Sequence, residues 1–271
     1  MSSSPSAVVF NSKIYCFHQG SGDSSDLWYD VFDGNSWQGD QKVPYTTLTV
    51  GPVAVVYRNN IYCFHQGNNK SGQLWYNVFD GFNWAGDKQV PNTGMSASPS
   101  AVVHDDQLYC FHQGWGNSGE LWYNVFDGSN WKGDKQVPNT GMSGGPPAIT
   151  VGANDMIYCF HQGWGNSGEL WYNVFDGSSW QGDQKVPSEG MSATPCVAFF
   201  YYKLIVLHQG YGDSGELWYD WLSGSTWSCA SKVPYTGMSE GPSAVVYKNK
   251  LWVFHQGGGH SGDLYYNILS I

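Results

Sequence analysis

Arginine is all but missing: Arg58 stands alone among 271 residues. Charge of either sign is sparse at 13%, and it leans acidic, with 22 Asp and Glu against 12 Lys and Arg and a net charge of −10. Phosphate backbones are bound by clustered Lys and Arg, so nucleic acid is excluded as a partner on electrostatic grounds. An anionic membrane surface is excluded for the same reason. Long hydrophobic runs are missing too: nothing approaches the ~18 apolar residues of a membrane span. The opening MSSSPSAVVF has neither the charged region nor the apolar stretch of a secretory leader. These absences predict a protein without membrane insertion, made in the cytosol and leaving it only by a non-classical route. No segment keeps a helical period over a useful length.

Cysteine is present but in no bridging or metal-binding pattern. Cys16, Cys63, Cys110 and Cys159 fall at one repeated place, which Val206 and Val253 take elsewhere, so the residue serves as a small hydrophobe. No CxxC pair occurs, and Cys196 and Cys229 lie in different segments. The expectation is no disulfide, no metal and no cofactor.

What the chain has in abundance is aromatic residues, at 17%, and a repeated phrase. Residues 111–123 read FHQGWGNSGELWY and residues 160–172 nearly repeat them. The phrase's histidines are His18, His65, His112, His161, His208 and His255, separated by steps of 47, 47, 49, 47 and 47. A fixed period of 20–50 residues marks a repeat architecture. Within one period, residues 99–103, 107–112 and 120–126 are short β-rich runs, and 131–137 is a weaker fourth. The clusters His104-Asp-Asp, Gly114-Trp-Gly-Asn-Ser-Gly, Asp127-Gly-Ser-Asn and Pro138-Asn-Thr-Gly-Met-Ser separate them as turns.

Four strands per ~45 residues, repeated, predict an all-β fold: a six-bladed β-propeller with about 47 residues per four-stranded antiparallel blade. The single domain, 1–271, divides at about 5–51, 52–98, 99–145, 146–194, 195–241 and 242–271. The last repeat stops after its third strand, so blade six is expected to lack its outer strand, with no strand exchanged between the chain ends. The layout PSAVV, LYCFHQG, LWYNVFDG, W, VP resembles a kelch-type blade, except that His-Gln-Gly stands where a kelch blade has Gly-Gly. The aromatic-rich, charge-poor repeats are similar to those of fungal and bacterial propeller lectins, a resemblance that implies glycan binding at several sites.

In an antiparallel blade, the loop between strands two and three shares a face with the link from strand four to the next blade. That face collects Trp115, Asn117 and Glu120 in repeat three, Trp164, Asn166 and Glu169 in repeat four, and Tyr211, Asp213 and Glu216 in repeat five. Repeat one offers Ser21, Asp23 and Asp26, repeat two Asn68, Asn69 and Gln73, and repeat six Gly258, His260 and Asp263. Aromatic faces stack on sugar C–H surfaces, while amides and carboxylates bond the hydroxyls, so these are candidate carbohydrate-binding residues. The six histidines join them, with two roles open: a ligand contact, or a hydrogen bond that holds each blade. Gln19 and its equivalents share that alternative. The Trp and Tyr of LWY, such as Trp122 and Tyr123, and the Trp of WxGD are read as core or blade edge.

An enzyme fits poorly. One arginine cannot clamp a sugar carboxylate, and glycosidase chemistry needs two carboxylates in one pocket, whereas Glu120, Glu169 and Glu216 recur one per blade. The leading expectation is a multivalent lectin whose weak sites bind clustered glycans by avidity, as a monomer or an oligomer. The alternative is a kelch-like protein-interaction propeller.

Overall fold

A computed structural model describes every residue except 23, 144, 146 and 271, together with all side chains but those of 188 and 189. Asp23, one of the loop candidates, therefore lies outside the described residues. The chain forms 24 strands and two single-turn 3-10 segments, with no α-helix among the described residues.

Blade one runs β1 (Ser6–Phe10), β2 (Lys13–Gln19), β3 (Asp26–Phe32) and β4 (Gln41–Thr47), paired antiparallel in that order. Blade two repeats this as β5 (Val53–Tyr57), β6 (Asn60–Gln66), β7 (Gln73–Phe79) and β8 (Lys88–Gly94). Blade three is β9 (Ser100–His104), β10 (Gln107–Gln113), β11 (Glu120–Phe126) and β12 (Lys135–Gly141). Blade four is β13 (Ala148–Val151), β14 (Ile157–Gln162), β15 (Glu169–Phe175) and β16 (Gln184–Gly190). Blade five adds a two-residue strand: β17 (Cys196–Phe200), β18 (Lys203–Gln209), β19 (Glu216–Ser223), β20 (Thr226–Trp227) and β21 (Ser231–Gly237). Blade six has only β22 (Ser243–Tyr247), β23 (Lys250–Gln256) and β24 (Leu264–Leu269), as the truncated sixth repeat predicts.

The first strands of successive blades touch around the ring, β22 against β1 included, and enclose an axial channel of about 160 Å³. Packing follows strand alternation. In blade three, Leu121 and Tyr123 are buried and Trp122 between them is half-exposed, so only Leu and Tyr of the LWY phrase are core. The WxGD tryptophans sit between blades: Trp84 meets Phe79 of its own blade and Phe17 and Tyr29 of blade one. All six cysteines are free, and burial pushes the Cys16, Cys63, Cys110 and Cys159 thiols up, which keeps them inert.

One boundary differs from the sequence reading. Strand four begins at Lys135 and runs through Pro138 to Gly141, while Trp131 makes only an isolated bridge to Phe126. Proline is tolerated because this strand is outermost and bulged. In blade one, Asp26 pairs with Thr47 and Trp28 with Lys42, so residues 43–46 face Leu27 alone.

The two ends meet without exchanging a strand. Met95, Met142, Met191 and Met238 each donate N–H to a glycine of the preceding loop, at Gly72, Gly119, Gly168 and Gly215. Met1 does the same with its amino group at Gly262, and Gln256 Nε2 donates to Met1 O at 2.8 Å, as Gln66 does to Met95 O. Ser2 Oγ bonds Gly20 O at 2.7 Å, as Ser96 bonds Gly114 O. Residues 1–2 thus stand in for the Met-Ser that links every other pair of blades from blade two onward.

Candidate functional site at the blade seams

In the bulged fourth strands every third side chain turns inward. Val43, Val90, Val137, Val186 and Val233 enter the core. Three residues on, Thr46, Thr93 and Thr140 reach into the next blade and donate to Asp87, Asp134 and Asp183 at 2.8, 3.0 and 3.1 Å. The same hydroxyls accept from Asn77, Asn124 and Asn173 at 2.8, 3.2 and 2.8 Å. Each aspartate, the last residue of WxGD, also faces the repeated histidine of its own blade: His65 Nε2 is 3.3 Å from Asp87 and His161 Nε2 is 3.2 Å from Asp183. Nδ1 donates to the following Gln carbonyl, at 3.2 Å in both.

His65, His112 and His161 therefore belong to a buried polar latch that joins each of their blades to the one before. His65, His112, His161 and His208 are at most 1% exposed, so the reading of these four as sugar ligands is corrected: burial leaves them no surface to offer. Blade five has Ala230 where the aspartate should be, and Asp220 on β19 replaces it, 3.3 Å from His208. Blade six uses Asn267, 3.0 Å from His255. At the seam of blades six and one no fourth strand supplies a threonine. There the side chain of Asp40, 3.1 Å from His18, is 54% exposed, against 17%, 16% and 16% for Asp87, Asp134 and Asp183.

Above the latch, the loop between strands two and three leans on the preceding blade. Trp115 lies on Gly72 and Gly94, Trp164 on Gly119 and Gly141, and Tyr211 on Gly168 and Gly190. A Cβ on Gly119 would meet the Trp164 ring at 1.5 Å, and Gly119 has φ +72°, so only glycine serves. Asn117, Asn166 and Asp213 are exposed, with φ of 53, 52 and 52°, and their N–H groups bond Ser96, Ser143 and Ser192. Their recurrence is explained by the left-handed turn, which Asn and Asp tolerate best. Glu120, Glu169 and Glu216 accept from Trp122, Trp171 and Trp218 Nε1 at 3.2, 3.2 and 3.3 Å. The Lys185 and Lys232 ammonium groups also hold Glu169 and Glu216 below the usual carboxylate range. Asp263 is exposed and, with His18 and Asp40, lines cavities of about 430 and 390 Å³ at the seam of blades six and one.

Strand four holds site residues that the sequence reading did not include. One residue before the latch threonine stand Tyr45, Asn92, Asn139 and Tyr235, at φ of 57, 55, 55 and 57°. Asparagine suits that backbone and tyrosine does not. Yet Tyr45 and Tyr235 occur at the two seams whose loops carry Asn68 and Gly258 in place of an aromatic. Tyr235, Gly258, His255 and Tyr265 line one cavity of about 270 Å³. From these two positions five seams each present an exposed aromatic on this face: Tyr45 (92%), Trp115 (64%), Trp164 (64%), Tyr211 (71%) and Tyr235 (104%). The sixth has Ser21 and, among the described residues, no strand four, and the exposed Tyr266 lines its cavity of about 390 Å³ instead. The loops also ring a central mouth of about 870 Å³, lined by Gln19, Thr49, Asn68, Lys70, Ser96 and Glu240 among others.

No family model matches the chain, and no curated protein does. Solved structures match along its whole length. AofleA from Arthrobotrys oligospora superposes with a TM-score of 0.77 at 14% identity, over 99% of this chain and 83% of that one. A fucose-specific lectin from Aleuria aurantia gives 0.74 at 16% identity, over 99% and 92%. A mutant of that lectin in complex with Fucα1-6GlcNAc gives 0.71 at 16%, over 99% and 95%. The NanB sialidase from Streptococcus pneumoniae also matches, with 0.69 at 10% identity over 98% of this chain and 68% of that one. At such identities the likeness establishes the fold, the six-bladed propeller.

Proposed function

We propose that the protein is a multivalent glycan-binding lectin whose sites lie at the blade seams, on the face built by the strand two–three loops. The observation that carries this is the supply of one exposed aromatic at each of five seams from either of two sequence positions. Tyrosine at positive φ is strained, and strain retained at a surface position points to function. The loops of the three loop aromatics also carry polar groups able to bond hydroxyls: Asn117 and Glu120 with Trp115, Asn166 and Glu169 with Trp164, and Asp213 and Glu216 with Tyr211. The Aleuria aurantia lectin of the same fold is described as fucose-specific, which makes α-fucosides the first sugars to test. The protein acts by binding and breaks no bond in its ligand.

A glycan array followed by calorimetry tests this. Several equivalent sugar sites per chain are expected, each weak, together with tight binding to clustered glycans. Folded protein that binds no glycan refutes the proposal, and a single strong site per chain refutes its multivalent form.

Tyr235→Asn gives a second test with opposite signs. It should weaken binding at the seam of blades five and six while raising stability by about 1 kcal/mol, because a strained φ is relieved. Chemical denaturation measures the gain; a loss of stability contradicts the strain argument.

A further inference from the structure

The face opposite the glycan loops is built from the strand one–two and strand three–four turns, and the two irregularities of the repeat converge there. The first is the step of 49 residues between His112 and His161. It reflects a longer turn in blade four, residues 152–156, where the other blades have two-residue turns such as Arg58-Asn59 and Asp105-Asp106. The second is His104. It ends β9 at the place where Phe10, Tyr57, Phe200 and Tyr247 end their strands.

The tyrosines at that place hold the next blade. Tyr57 Oη donates to Asp106 O and Tyr247 Oη to Ser12 O, both at 2.9 Å. His104 keeps the role, since its Nε2 donates to Asp155 O, in the long turn of blade four, at 2.7 Å. A phenol ends at that bond; an imidazole has a second nitrogen. His104 Nδ1 is buried and without a hydrogen-bond partner, on a side chain only 2% exposed. The Asp105 carboxylate stands with Oδ2 at 3.8 Å, beyond hydrogen-bonding length. Nε2 is committed to the carbonyl, so Nδ1 is the ring nitrogen left to bind something else, with a carboxylate 3.8 Å away. A cation held between Nδ1 and that carboxylate would satisfy both. Asp155 adds a second carboxylate, its Oδ1 3.6 Å from His104 Nε2, and one ring nitrogen of His104 and one carboxylate oxygen each of Asp105 and Asp155 lie within 4.8 Å of one another. Asp106 is already engaged by Arg58, with Oδ2 2.6 Å from Nη2.

We propose that His104, Asp105 and Asp155 form a binding site for a divalent first-row metal ion of the zinc type, which ties blade three to blade four on the face away from the glycan sites. The donor set selects the ion. Imidazole with carboxylates suits zinc and its neighbours, whereas magnesium and calcium take oxygen donors. Zinc bonds of about 2.0–2.2 Å at a tetrahedral angle place neighbouring donors ~3.4 Å apart. The Asp105 side chain, 66% exposed, can close the present 3.8 Å by rotating. The ion would occupy three protein ligands and leave a position for water.

The test uses the full chain, zinc chloride as the probe, and two variants. His104→Tyr restores the tyrosine that other blades use, so the bond to Asp155 O survives and the metal donor is lost. Asp105→Asn changes an exposed carboxylate and leaves the fold alone. Zinc at a hundredfold excess over Kd should raise the wild-type Tm by roughly 5–10 °C. Calorimetry should show one site that both variants lose, and magnesium should have no effect. The proposal is overturned if zinc at millimolar concentration leaves wild-type Tm unchanged, if His104→Tyr responds as the wild type does, or if magnesium replaces zinc at equal concentration.

Discussion

Trp115→Ala combined with Trp164→Ala lowers binding to a clustered-glycan surface at least tenfold and leaves the fold intact. The indoles supply the apolar platforms of two of the five aromatic seams, and at 64% exposure each keeps most of its surface for a ligand. Losing two sites from a multivalent face acts on avidity, so the effect on a clustered glycan exceeds that on a free sugar. The cost in stability is bounded. Roughly a third of each indole is covered by the preceding blade, at most about 2 kcal/mol per residue by area. Surface plasmon resonance on a glycan-coated chip reads the binding, and circular dichroism reads the fold. Unchanged avidity in the double variant places the sites elsewhere.

Asp183→Ala is expected to be strongly destabilising. It strips the latch between blades three and four of the group that joins His161 to Thr140, at 3.2 and 3.1 Å. Removing one partner of a buried pair costs about 3–5 kcal/mol, and 16% exposure moves the expectation to the lower end. Asp40→Ala is the internal control. It deletes the same residue at the seam of blades six and one, where solvent screens the pair and no threonine arrives, so the cost is below about 1 kcal/mol. Urea unfolding of the two variants should differ by about 2 kcal/mol or more. Equal losses would mean that the histidine–aspartate pairs, and not the threonine bridge across blades, decide the stability of a seam.

The fold was legible because period, turn chemistry and β-rich runs agreed, and even the truncated last blade could be counted from the missing WxGD. Strand four was misplaced because proline reads as a turn signal; position 138 is permitted only by the strand's place at the edge. The latch had a signal that went unused. His18 and Asp40, His65 and Asp87, His112 and Asp134, and His161 and Asp183 all stand 22 residues apart. A histidine that tracks an aspartate at fixed spacing is a candidate pair, and of the two roles left open this favours the scaffold for the buried His65, His112 and His161. Asn117 and its equivalents look like ligand groups in sequence, but the left-handed turn already accounts for their type. Tyr45 and Tyr235 were invisible to a reading confined to one loop. Their partnership with the other aromatics appears only when strand four of one blade is seen beside the loop of the next.

The Met-Ser pair at the start of the chain has a practical meaning. Because residues 1–2 occupy the place of an inter-blade link, a segment joined to Met1 would emerge at the seam of blades six and one, beside β24. A copy of residues 131–141 joined there would lie along β24 and cover Tyr265, Tyr266 and Ile268, which are now open to solvent. An unrelated tag at the same end would press a foreign chain into that seam. For expression and for immobilisation on a surface, an attachment at Met1 is therefore an attachment at the seam of blades six and one.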